Sequence, residues 1–370
     1  MEKERHALAK VKKKGWGFTG VIARLLMLLA AGLLLMSYAS MLVNPSKAWY
    51  MTALGLMFVP IALLNLFLLI WAIRRRSGAA FIPLLALLPS LIFIGRYLQF
   101  SSGGETPTGK PVKIVSYNVG HFIMGRRPEF KDAEGHKACM DSVVRFIKDT
   151  DADIVCLQEI NLPGEYDVSK FVKEHFPEYE AGYFMFITEE GSYGNMTLSR
   201  FPIAGKGRFQ FEKSANQAIY TDLKITDGST IRVYNCHFES YNISLSNLVK
   251  SKGKDSTLVR DTEEKMKRSI KRRPEQVEQV MADIEDCTME AIVVGDFNDN
   301  PMSYTYHRLM KGRKDTFVEA GKGFGATYST LWPLIRIDYI LYPSHFKAVS
   351  NQIPKVRYSD HFPVIAEISL

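Results

Sequence analysis

Three long apolar stretches near the N-terminus constrain this chain more than any other feature of its sequence. They cover Phe18–Val43, Trp49–Ile73 and Ala79–Ile94; Arg24 interrupts the first, and two prolines interrupt the third. A helix that spans a bilayer needs about 20 predominantly apolar residues. The first two stretches meet that length and the third is marginal, so the sequence predicts a membrane region with three transmembrane helices within residues 1–100.

A cleaved signal peptide is the alternative interpretation of the first stretch, because the basic residues Lys10 and Lys12–Lys14 precede it. Signal cores contain only about 7–15 apolar residues, however, and here two further apolar stretches follow. We therefore expect an integral, multi-pass membrane protein that contacts the lipid bilayer through residues 18–94.

The distribution of Lys and Arg predicts how the chain is oriented. Basic residues cluster before the first stretch, Lys47 alone lies between the first and the second, and Arg74–Arg76 follow the second. Because positively charged flanks stay in the cytoplasm, three spans would place the remainder of the chain outside. If the third stretch does not span, the large domain lies in the cytoplasm instead.

A change of composition marks a domain boundary after the apolar region. Residues 101–111 are rich in Gly, Ser, Thr and Pro, which predicts a flexible linker. Residues 112–370 then alternate short β-rich segments with helical patterns, as in a soluble α/β domain, with the clearest helices at 136–148, 168–175 and 274–286. The four cysteines lack CxxC spacing, which favours buried thiols over disulfides or metal ligands.

Polar side chains follow the predicted strands at the points where the strands end. In the clearest case, the apolar run Ile292–Val294 leads through Gly295 to Asp296 and Asn298. The same arrangement recurs along the domain, at Asn118, Glu159, His237, Asp338 and the pair Asp360-His361. Each has an ordinary explanation on its own, such as a turn, a core histidine or an ion pair. Strands laid side by side would instead gather these groups at one sheet edge, where α/β proteins bind ligands.

Three of these residues suggest a metal site. Glu159, Asn118 and Asp360 offer the hard oxygen ligands that suit Mg²⁺, with Mn²⁺ as a possible substitute. A zinc site would need more His or Cys at close spacing, and the sequence lacks that pattern. The net charge of +8 further favours anionic partners such as phosphate, nucleic acid or acidic lipid.

The two histidines at strand ends suggest proton transfer and charge stabilisation. His361 held by Asp338 can act as a general base or support one. His237 can donate to phosphoryl oxygens as negative charge develops on them. Together with a carboxylate and an amide at Asp296 and Asn298, these groups suit the hydrolysis of a phosphoester.

Taken in order, these residues resemble the endonuclease/exonuclease/phosphatase superfamily, which includes DNase I, abasic-site endonucleases, bacterial sphingomyelinases, inositol polyphosphate 5-phosphatases and deadenylases. The matching motifs are Asn118, Leu157-Gln158-Glu159, Asn235-Cys236-His237, Gly295-Asp296-Phe297-Asn298, Arg336-Ile337-Asp338-Tyr339 and Ser359-Asp360-His361. The resemblance covers residues 112–370. It implies an α/β (α+β) four-layer sandwich, in which helices flank two packed mixed β-sheets, preceded here by the N-terminal transmembrane helical region.

The resemblance also implies a role for each matching residue around the metal and the phosphate. Glu159 would be the main Mg²⁺ ligand, assisted by Asn118, with Asp360 near the metal. Asp296 would orient the attacking water, and Asn298 would bind the scissile phosphate.

The remaining matches concern proton transfer and the walls of the site. His361 paired with Asp338 would serve in acid–base or phosphate-stabilising work, and His237 matches a phosphate-contacting histidine of the DNase and sphingomyelinase branches. Asn195 matches a less specific position and would line the phosphate site.

The predicted activity is that of a membrane-anchored, Mg²⁺-dependent phosphoester hydrolase of phosphodiesterase or nuclease type. The alternatives are a phospholipid or inositol-phosphate hydrolase, and a non-catalytic binding protein on the same fold; no protein partner is evident. Gly120 stands where abasic-site endonucleases carry an acid. The basic segment 241–273 could follow a nucleic-acid backbone, lie against anionic headgroups or form a solvated helical face. Trp332 could stack on a base, enter lipid or fill the core.

Overall fold

The structure is a computed structural model that describes residues 18–100, 103–107, 109–123, 133–163, 167–188, 191–226, 228–240 and 256–370. The basic residues before the first apolar stretch and residues 241–255 of the basic segment lie outside these ranges. The elements described below are numbered in chain order.

The N-terminal region consists of helical segments that pack against one another. The α-helices are α1 Phe18–Ala39, α2 Trp49–Leu56, α3 Phe58–Arg74, α4 Phe81–Leu87 and α5 Ser90–Phe93. Short 3₁₀ turns occur at Ser40–Leu42, Gly78–Ala80 and Ile94–Arg96. Two stretches, Gly20–Leu42 and Gly78–Arg96, are long and apolar enough to cross a membrane.

The second apolar stretch differs from its prediction, because α2 and α3 meet at an angle of 59°. The break falls at Met57, just before Pro60 in the first turn of α3. Proline has no N–H to donate and is tolerated in a first helical turn, so a new helix begins here. The third stretch, expected to be the marginal one, consists of α4 and α5 with a 3₁₀ turn at either end, and from Gly78 to Arg96 it is long and apolar enough to cross a membrane.

The helical segments pack against one another through small and polar groups. Asn65 Nδ2 donates to Ala30 O (2.9 Å) and joins α3 to α1, and Tyr38 Oη donates to Ala86 O (2.9 Å) and joins α1 to α4. Leu25, Leu29, Phe67, Leu91 and Ile92 point outward and are more than half exposed. Such an apolar surface is typical of helices whose outer face is covered by lipid.

Two six-stranded mixed sheets form the centre of the second domain. One has the strand order β13-β14-β2-β3-β5-β4 and the other the order β10-β12-β9-β8-β7-β6. In each sheet one central pair is parallel, β2 with β3 and β8 with β9, and the other pairs are antiparallel. The strands are β1 Leu98–Gln99, β2 Val112–Asn118, β3 Ile154–Pro163, β4 Glu180–Thr188, β5 Gly191–Ser199, β6 Ile203–Gln210, β7 Gln217–Lys224, β8 Thr230–His237, β9 Glu290–Asp296, β10 Arg313–Asp315, β11 Gly323–Phe324, β12 Asp338–Pro343, β13 Lys347–Gln352 and β14 Val364–Ser369.

Helices cover the outer face of each sheet and complete four layers. The helices of this domain are α6 Ala133–Thr150, α7 Val168–His175, α8 Ser256–Asp286, α9 Tyr304–Leu309 and α10 Thr316–Ala320. One apolar cluster lies between the sheets and includes Ile114 and Ile292. Two others lie between a sheet and its helices, one around Val143 of α6 and one around Val280 of α8. The predicted four-layer sandwich is confirmed.

Two segments differ from their sequence-based descriptions. The helix expected at 274–286 is the second half of α8, which begins at Ser256 and contains Pro274; the described part of the basic segment is therefore helical. The expected linker contacts the domain, since Glu105 N donates to Ala348 O (2.9 Å). Just before it, β1 pairs with β11.

Candidate active site

Strand alternation brings the polar strand ends into the space between the two sheets. Because successive side chains point to opposite faces, Asp296 faces the same way as Val294, which belongs to the core between the sheets. His237 and Asp338 lie directly opposite Asp296 on the neighbouring strands β8 and β12. Asn118 ends β2 in the other sheet, so the two sheets meet at this edge through polar rather than apolar side chains.

Asp296 lies at the centre of this cluster. Its Oδ1 accepts from the backbone N–H of Asn298 (2.8 Å), and its Oδ2 accepts from Asn118 Nδ2 (3.0 Å). The Nε2 atoms of His237 and His361 each lie 3.8 Å from Asp296 Oδ2. The carboxyl is only 1% exposed. The four residues that surround it here are all among the site residues that the sequence predicted.

The glycine before Asp296 is required by the strand pairing. Gly295 has φ +131°, and a Cβ at this position would lie 2.0 Å from Cys236 O. A side chain cannot fit against the neighbouring parallel strand, and only glycine adopts this φ without strain. Gly295 therefore allows β9 to deliver Asp296 beside His237.

Glu159 reaches the site by a different route. The pairing of β3 with β5 shifts between Leu157 and Ile160, and Glu159 adopts φ +53°. Such a bulge re-aims a side chain that alternation would have turned away, and a left-handed conformation at a non-glycine residue is strained and is often found at functional sites. Glu159 Oε1 consequently lies 3.2 Å from Asn118 Nδ2 and 3.5 Å from His237 Nε2.

The structure adds two residues that the sequence reasoning missed. His121 Nε2 lies 3.1 Å from Glu159 Oε2. His121 stands three residues after Asn118, and its position just after a predicted strand could have marked it as a site residue. Asn216 Nδ2 lies 2.9 Å from His237 Nε2. Asn216 precedes β7, a strand that the sequence did not predict, so no pattern pointed to it.

His361 and Asp338 form the predicted pair. His361 Nδ1 lies 3.0 Å from Asp338 Oδ2 and 3.2 Å from Oδ1, and both side chains are buried. Arg336, which stands two residues before Asp338 and could have formed an ion pair with it, forms a buried ion pair with Asp315 instead (2.5 Å). Asp338 is therefore available to orient His361, whose Nε2 faces Asp296.

Burial and charge set the protonation of these groups. Burial lowers the pKa of His237 to about 4, so this imidazole is neutral and its Nε2 accepts from the Asn216 amide. Burial raises the pKa of Asp296 to about 7. Burial alone would lower the pKa of His361, but the nearby carboxylates of Asp338 and Asp296 raise it well above its ordinary value. The site thus holds a cationic imidazole, a neutral one and a carboxyl that titrates near neutrality.

The structure brings Asn298 into the cluster. Its side-chain amide donates to Phe238 O (2.9 Å) and lies 3.3 Å from Asp296 Oδ2. Its backbone has φ +51°, which Asn tolerates better than most residues. Asn298 therefore lies beside Asp296, as predicted.

Asn195 is held by backbone groups. Its Nδ2 donates to Gln217 O (3.1 Å) and Asn235 O (3.2 Å), and the side chain is buried. These bonds tie β5 to the opposite sheet just behind the cluster. A phosphate-binding role for Asn195 stays a prediction.

Asp360 lies next to the turn that follows Asn118. A Cβ at Gly120 would lie 3.1 Å from Asp360 Oδ1 and 2.9 Å from Ser359 Oγ. Gly120 also has φ +54° and donates its N–H to Asn118 Oδ1 (3.0 Å). Glycine at this position thus leaves room for Asp360 beside the turn that follows Asn118.

The chemistry of the cluster fits a divalent cation. The carboxylates of Glu159 and Asp296 converge on the single amide of Asn118, and Asp338 adds another carboxylate nearby. Among the described residues, ligand atoms of Asp296, Asp338 and His361 lie within 4.8 Å of one another. A hard cation held by Glu159 and Asn118 would offset this negative charge. His361 Nδ1 already faces Asp338, which suits a proton-holding pair better than a ligand set.

Comparisons with known proteins cover both regions of the chain. The model of a family described as the Endonuclease/Exonuclease/phosphatase family matches residues 115–361, and one described as a domain of unknown function matches residues 20–97. No curated protein matches the chain.

Several solved structures have a similar fold over about 70% of this chain, at low sequence identity. An endonuclease/exonuclease/phosphatase family protein from Bacteroides thetaiotaomicron has 17% identity and a TM-score of 0.52, over 71% of this chain and 96% of that one. A protein of the same description from Bacteroides vulgatus has 20% identity and a TM-score of 0.51, over 71% and 100%. A mannosyl-6-phosphatase from Bacteroides thetaiotaomicron has 18% identity and a TM-score of 0.51, over 70% and 100%. At these identities the similarity concerns the fold.

Proposed function

The chain belongs to the endonuclease/exonuclease/phosphatase family and is a phosphoester hydrolase; from that premise we propose a membrane-anchored enzyme that uses Mg²⁺ and a water activated by Asp296. The observation that carries the proposal is the environment of Asp296. A buried carboxyl whose pKa is raised to about 7 lies between two imidazoles and two amides. A general base works best when its pKa lies near the operating pH.

The residues of the cluster divide the reaction between them. Asp296 accepts the proton of the attacking water, and Asn298 binds the phosphate oxygens beside it. The neutral His237 accepts from Asn216 through Nε2, so Nδ1 is the ring nitrogen with which it would donate to these oxygens. The cationic His361, oriented by Asp338, stabilises the charge that develops on the phosphoryl group and supplies a proton to the leaving oxygen. Mg²⁺ bound by Glu159 and Asn118, with Asp360 close by, would polarise the phosphoryl oxygens.

A substrate panel on the full-length chain in detergent tests this proposal. Single- and double-stranded DNA, RNA, a phospholipid such as sphingomyelin, inositol phosphates, mannose 6-phosphate and bis-p-nitrophenyl phosphate would be offered with Mg²⁺, with Mn²⁺ and with excess chelator. We expect hydrolysis of at least one phosphoester, lost in chelator and in Asp296→Asn. Hydrolysis that persists in chelator would contradict the metal, and a fully active Asp296→Asn would contradict the base.

A lipid or inositol-phosphate substrate is the second candidate, and one observation favours it. Trp332 is 49% exposed, so it does not fill the core, and it contacts Phe324 edge-on. Phe324 pairs with Leu98, only two residues after Arg96 at the end of the last apolar stretch. Aromatic side chains next to a membrane helix are typical of the bilayer interface. The lipid arms of the panel separate this candidate from a nuclease, and inactivity on every arm would favour a binding protein.

We further propose that the catalytic domain lies outside the cytoplasm. The end of α1 and the end of the third stretch both contact this domain, through Ser40 and Arg96. Arg74–Arg76 lie at the opposite end of the helices, and such a basic loop stays in the cytoplasm. Reporters fused after Gly104, one active only outside and one only in the cytoplasm, test the orientation. Signal from the cytoplasmic reporter alone would place the domain inside.

A further inference from the structure

The loop that follows Asp296 ends inside the membrane region. Met302, six positions after Asp296, is fully buried in an apolar cluster that otherwise consists of N-terminal residues such as Leu34, Phe58 and Ala86. A residue of the catalytic domain thus packs in the apolar core of the N-terminal helices.

Hydrogen bonds join three consecutive loop residues to three separate helical segments. They run from Asn300 Nδ2 to Gly55 O (3.0 Å), from Arg96 Nη1 to Pro301 O (2.9 Å) and from Ser40 Oγ to Met302 O (2.7 Å). The bonds of Asn300 and Ser40 are buried and that of Arg96 is partly buried, so removal of one partner leaves a desolvated polar group unpaired. The loop end is therefore fixed to the helices by specific contacts.

The loop residues that are bonded to the helices lie next to the catalytic residues in the sequence and share a hydrogen-bonded turn with them. Asn300 Oδ1 accepts from Met302 N (3.0 Å), so the same amide that binds Gly55 also shapes the turn. Two residues upstream, Asn298 donates its backbone N–H to Asp296 (2.8 Å). Because Asn298 is in the left-handed conformation, the turn has little freedom to absorb a shift of Met302.

Arg96 also links the helices to the other catalytic strand. Its carbonyl accepts from Arg336 Nη1 (3.2 Å), and Arg336 stands two residues before Asp338. The side chain of Arg96 holds the Asp296 loop while its backbone holds the Asp338 strand. One residue at the end of the third apolar stretch is thus bonded both to the loop that follows Asp296 and to the segment that leads into Asp338.

We infer that the N-terminal helices are part of the catalytic unit, with Ser40, Gly55 and Arg96 as positioning residues for Asp296 and Asn298. The inference rests on the proposed function, since it assigns a purpose to the site described above. The helices do more than tether the domain: they set the geometry of the loop that orients the attacking water. Misplacement of a reacting group by about 1 Å lowers rates by about 10²-fold.

Two glycines provide a matched pair of variants. A Cβ at Gly55 would lie 2.5 Å from Ser40 Oγ and 2.6 Å from Met302 O, whereas a Cβ at Gly32 of α1 meets nothing within 4 Å. Both substitutions replace glycine by alanine, the residue with the higher helix propensity. A loss seen in Gly55→Ala and absent from Gly32→Ala would therefore come from the crowded contact with Ser40 and Met302 and not from the change in helix propensity.

Two serines of the same helix end provide a gentler pair. Ser40 and Ser37 are both buried, and each places its hydroxyl on a carbonyl three residues before it. Only Ser40 also reaches Met302. Ser40→Ala and Ser37→Ala thus remove the same group at nearly the same depth, with and without the contact to the loop.

The experiment measures these variants in the full-length chain in detergent, by steady-state kinetics and by hydrogen exchange of peptides covering residues 296–303. We expect Gly55→Ala to lower kcat about 10–100-fold with little change in KM, and Ser40→Ala to lower it less. Exchange should rise in both. Gly32→Ala and Ser37→Ala should match the unmodified chain, and Arg96→Lys, which keeps a donor for Pro301, should lose less than Arg96→Met.

Unchanged kcat and unchanged exchange in both Gly55→Ala and Ser40→Ala would overturn the inference, as would equal losses in their controls. If the unmodified chain hydrolyses nothing, the proposed function fails. Hydrogen exchange would then still decide whether the helices hold the loop, because it requires no turnover.

Discussion

The two β-sheets contribute to the site in opposite ways. The sheet that contains β2 and β3 supplies Asn118 and Glu159, and Glu159 arrives through a strained bulge with its side chain 11% exposed. The sheet that contains β8, β9 and β12 supplies His237, Asp296 and Asp338 from regular strand ends, with both carboxyls 1% exposed. We call the side of Glu159, the most exposed of the three carboxylates, the open half. The closed half comprises His237, Asp296 and Asp338 together with His361, which is buried against Asp338 although it precedes β14 of the first sheet.

This difference separates two requirements of hydrolysis. A cation and its water ligands need an accessible carboxylate, and an irregular backbone can bring one to the surface of the cleft. Proton transfer instead needs groups whose pKa is shifted by burial or by neighbouring charges, and the closed half provides these at Asp296 and His361. The predictions that follow disturb one half at a time.

The largest effect is expected in the closed half. Asp296→Asn and His361→Ala should each lower kcat by about 10²–10⁴-fold, because each removes a group that accepts or supplies a proton. Rates on the substrate identified by the panel measure this. Asp141→Asn, at an exposed ion pair of α6, is the matched control and should behave like the unmodified chain.

A double substitution tests whether the closed half acts as a unit. If Asp338 serves by orienting His361, Asp338→Asn should lower kcat alone but add little to the loss in His361→Ala, since residues acting together are non-additive. The four rates of the cycle provide the comparison. Losses that multiply would show that the contact of 3.0 Å does not couple the two residues.

A substitution in the open half should change the metal requirement of the reaction rather than its proton transfer. Glu159→Gln keeps the shape of the side chain and removes its charge, so the Mg²⁺ concentration for half-maximal rate should rise by about tenfold or more. Titration of Mg²⁺ and Mn²⁺ measures the shift. An unchanged metal requirement would assign the ion to the closed half instead, at Asp296 and Asp338.

The smallest effect is expected at the border between the halves. Asn216→Ala removes the amide that lies 2.9 Å from His237 Nε2, a bond worth about 1 kcal/mol. kcat/KM should fall about fivefold, while the metal requirement stays the same. A shift in metal requirement would mean that Asn216 supports the open half.

Regularity also decided what the sequence could predict. Asn118 and Asp296 end regular strands, as predicted, so the expectation that strand ends meet at one sheet edge placed them in one site. Asp338 was expected to follow a strand but begins β12 instead, and it reaches the same edge because β12 runs antiparallel to β9. Glu159 was identified, but its bulge depends on the pairing of β3 with β5 and has no signal in the local sequence. The same holds for the bundle: apolar length predicted the helices, whereas the contact of Ser40 with Met302 depends on the assembled fold.

The burial of Met302 among the N-terminal helices has a consequence for how the chain folds. The residues that form the bond from Ser40 to Met302 stand 262 positions apart. Synthesis runs from the N-terminus, so the helices emerge long before their partner, with Ser40 and Arg96 still lacking the loop carbonyls that they will bind. Contacts this distant in sequence form late, because the intervening chain must first be ordered. The contact between Met302 and the N-terminal helices would then form among the last steps of folding. The catalytic loop would adopt its final conformation only once both regions have folded.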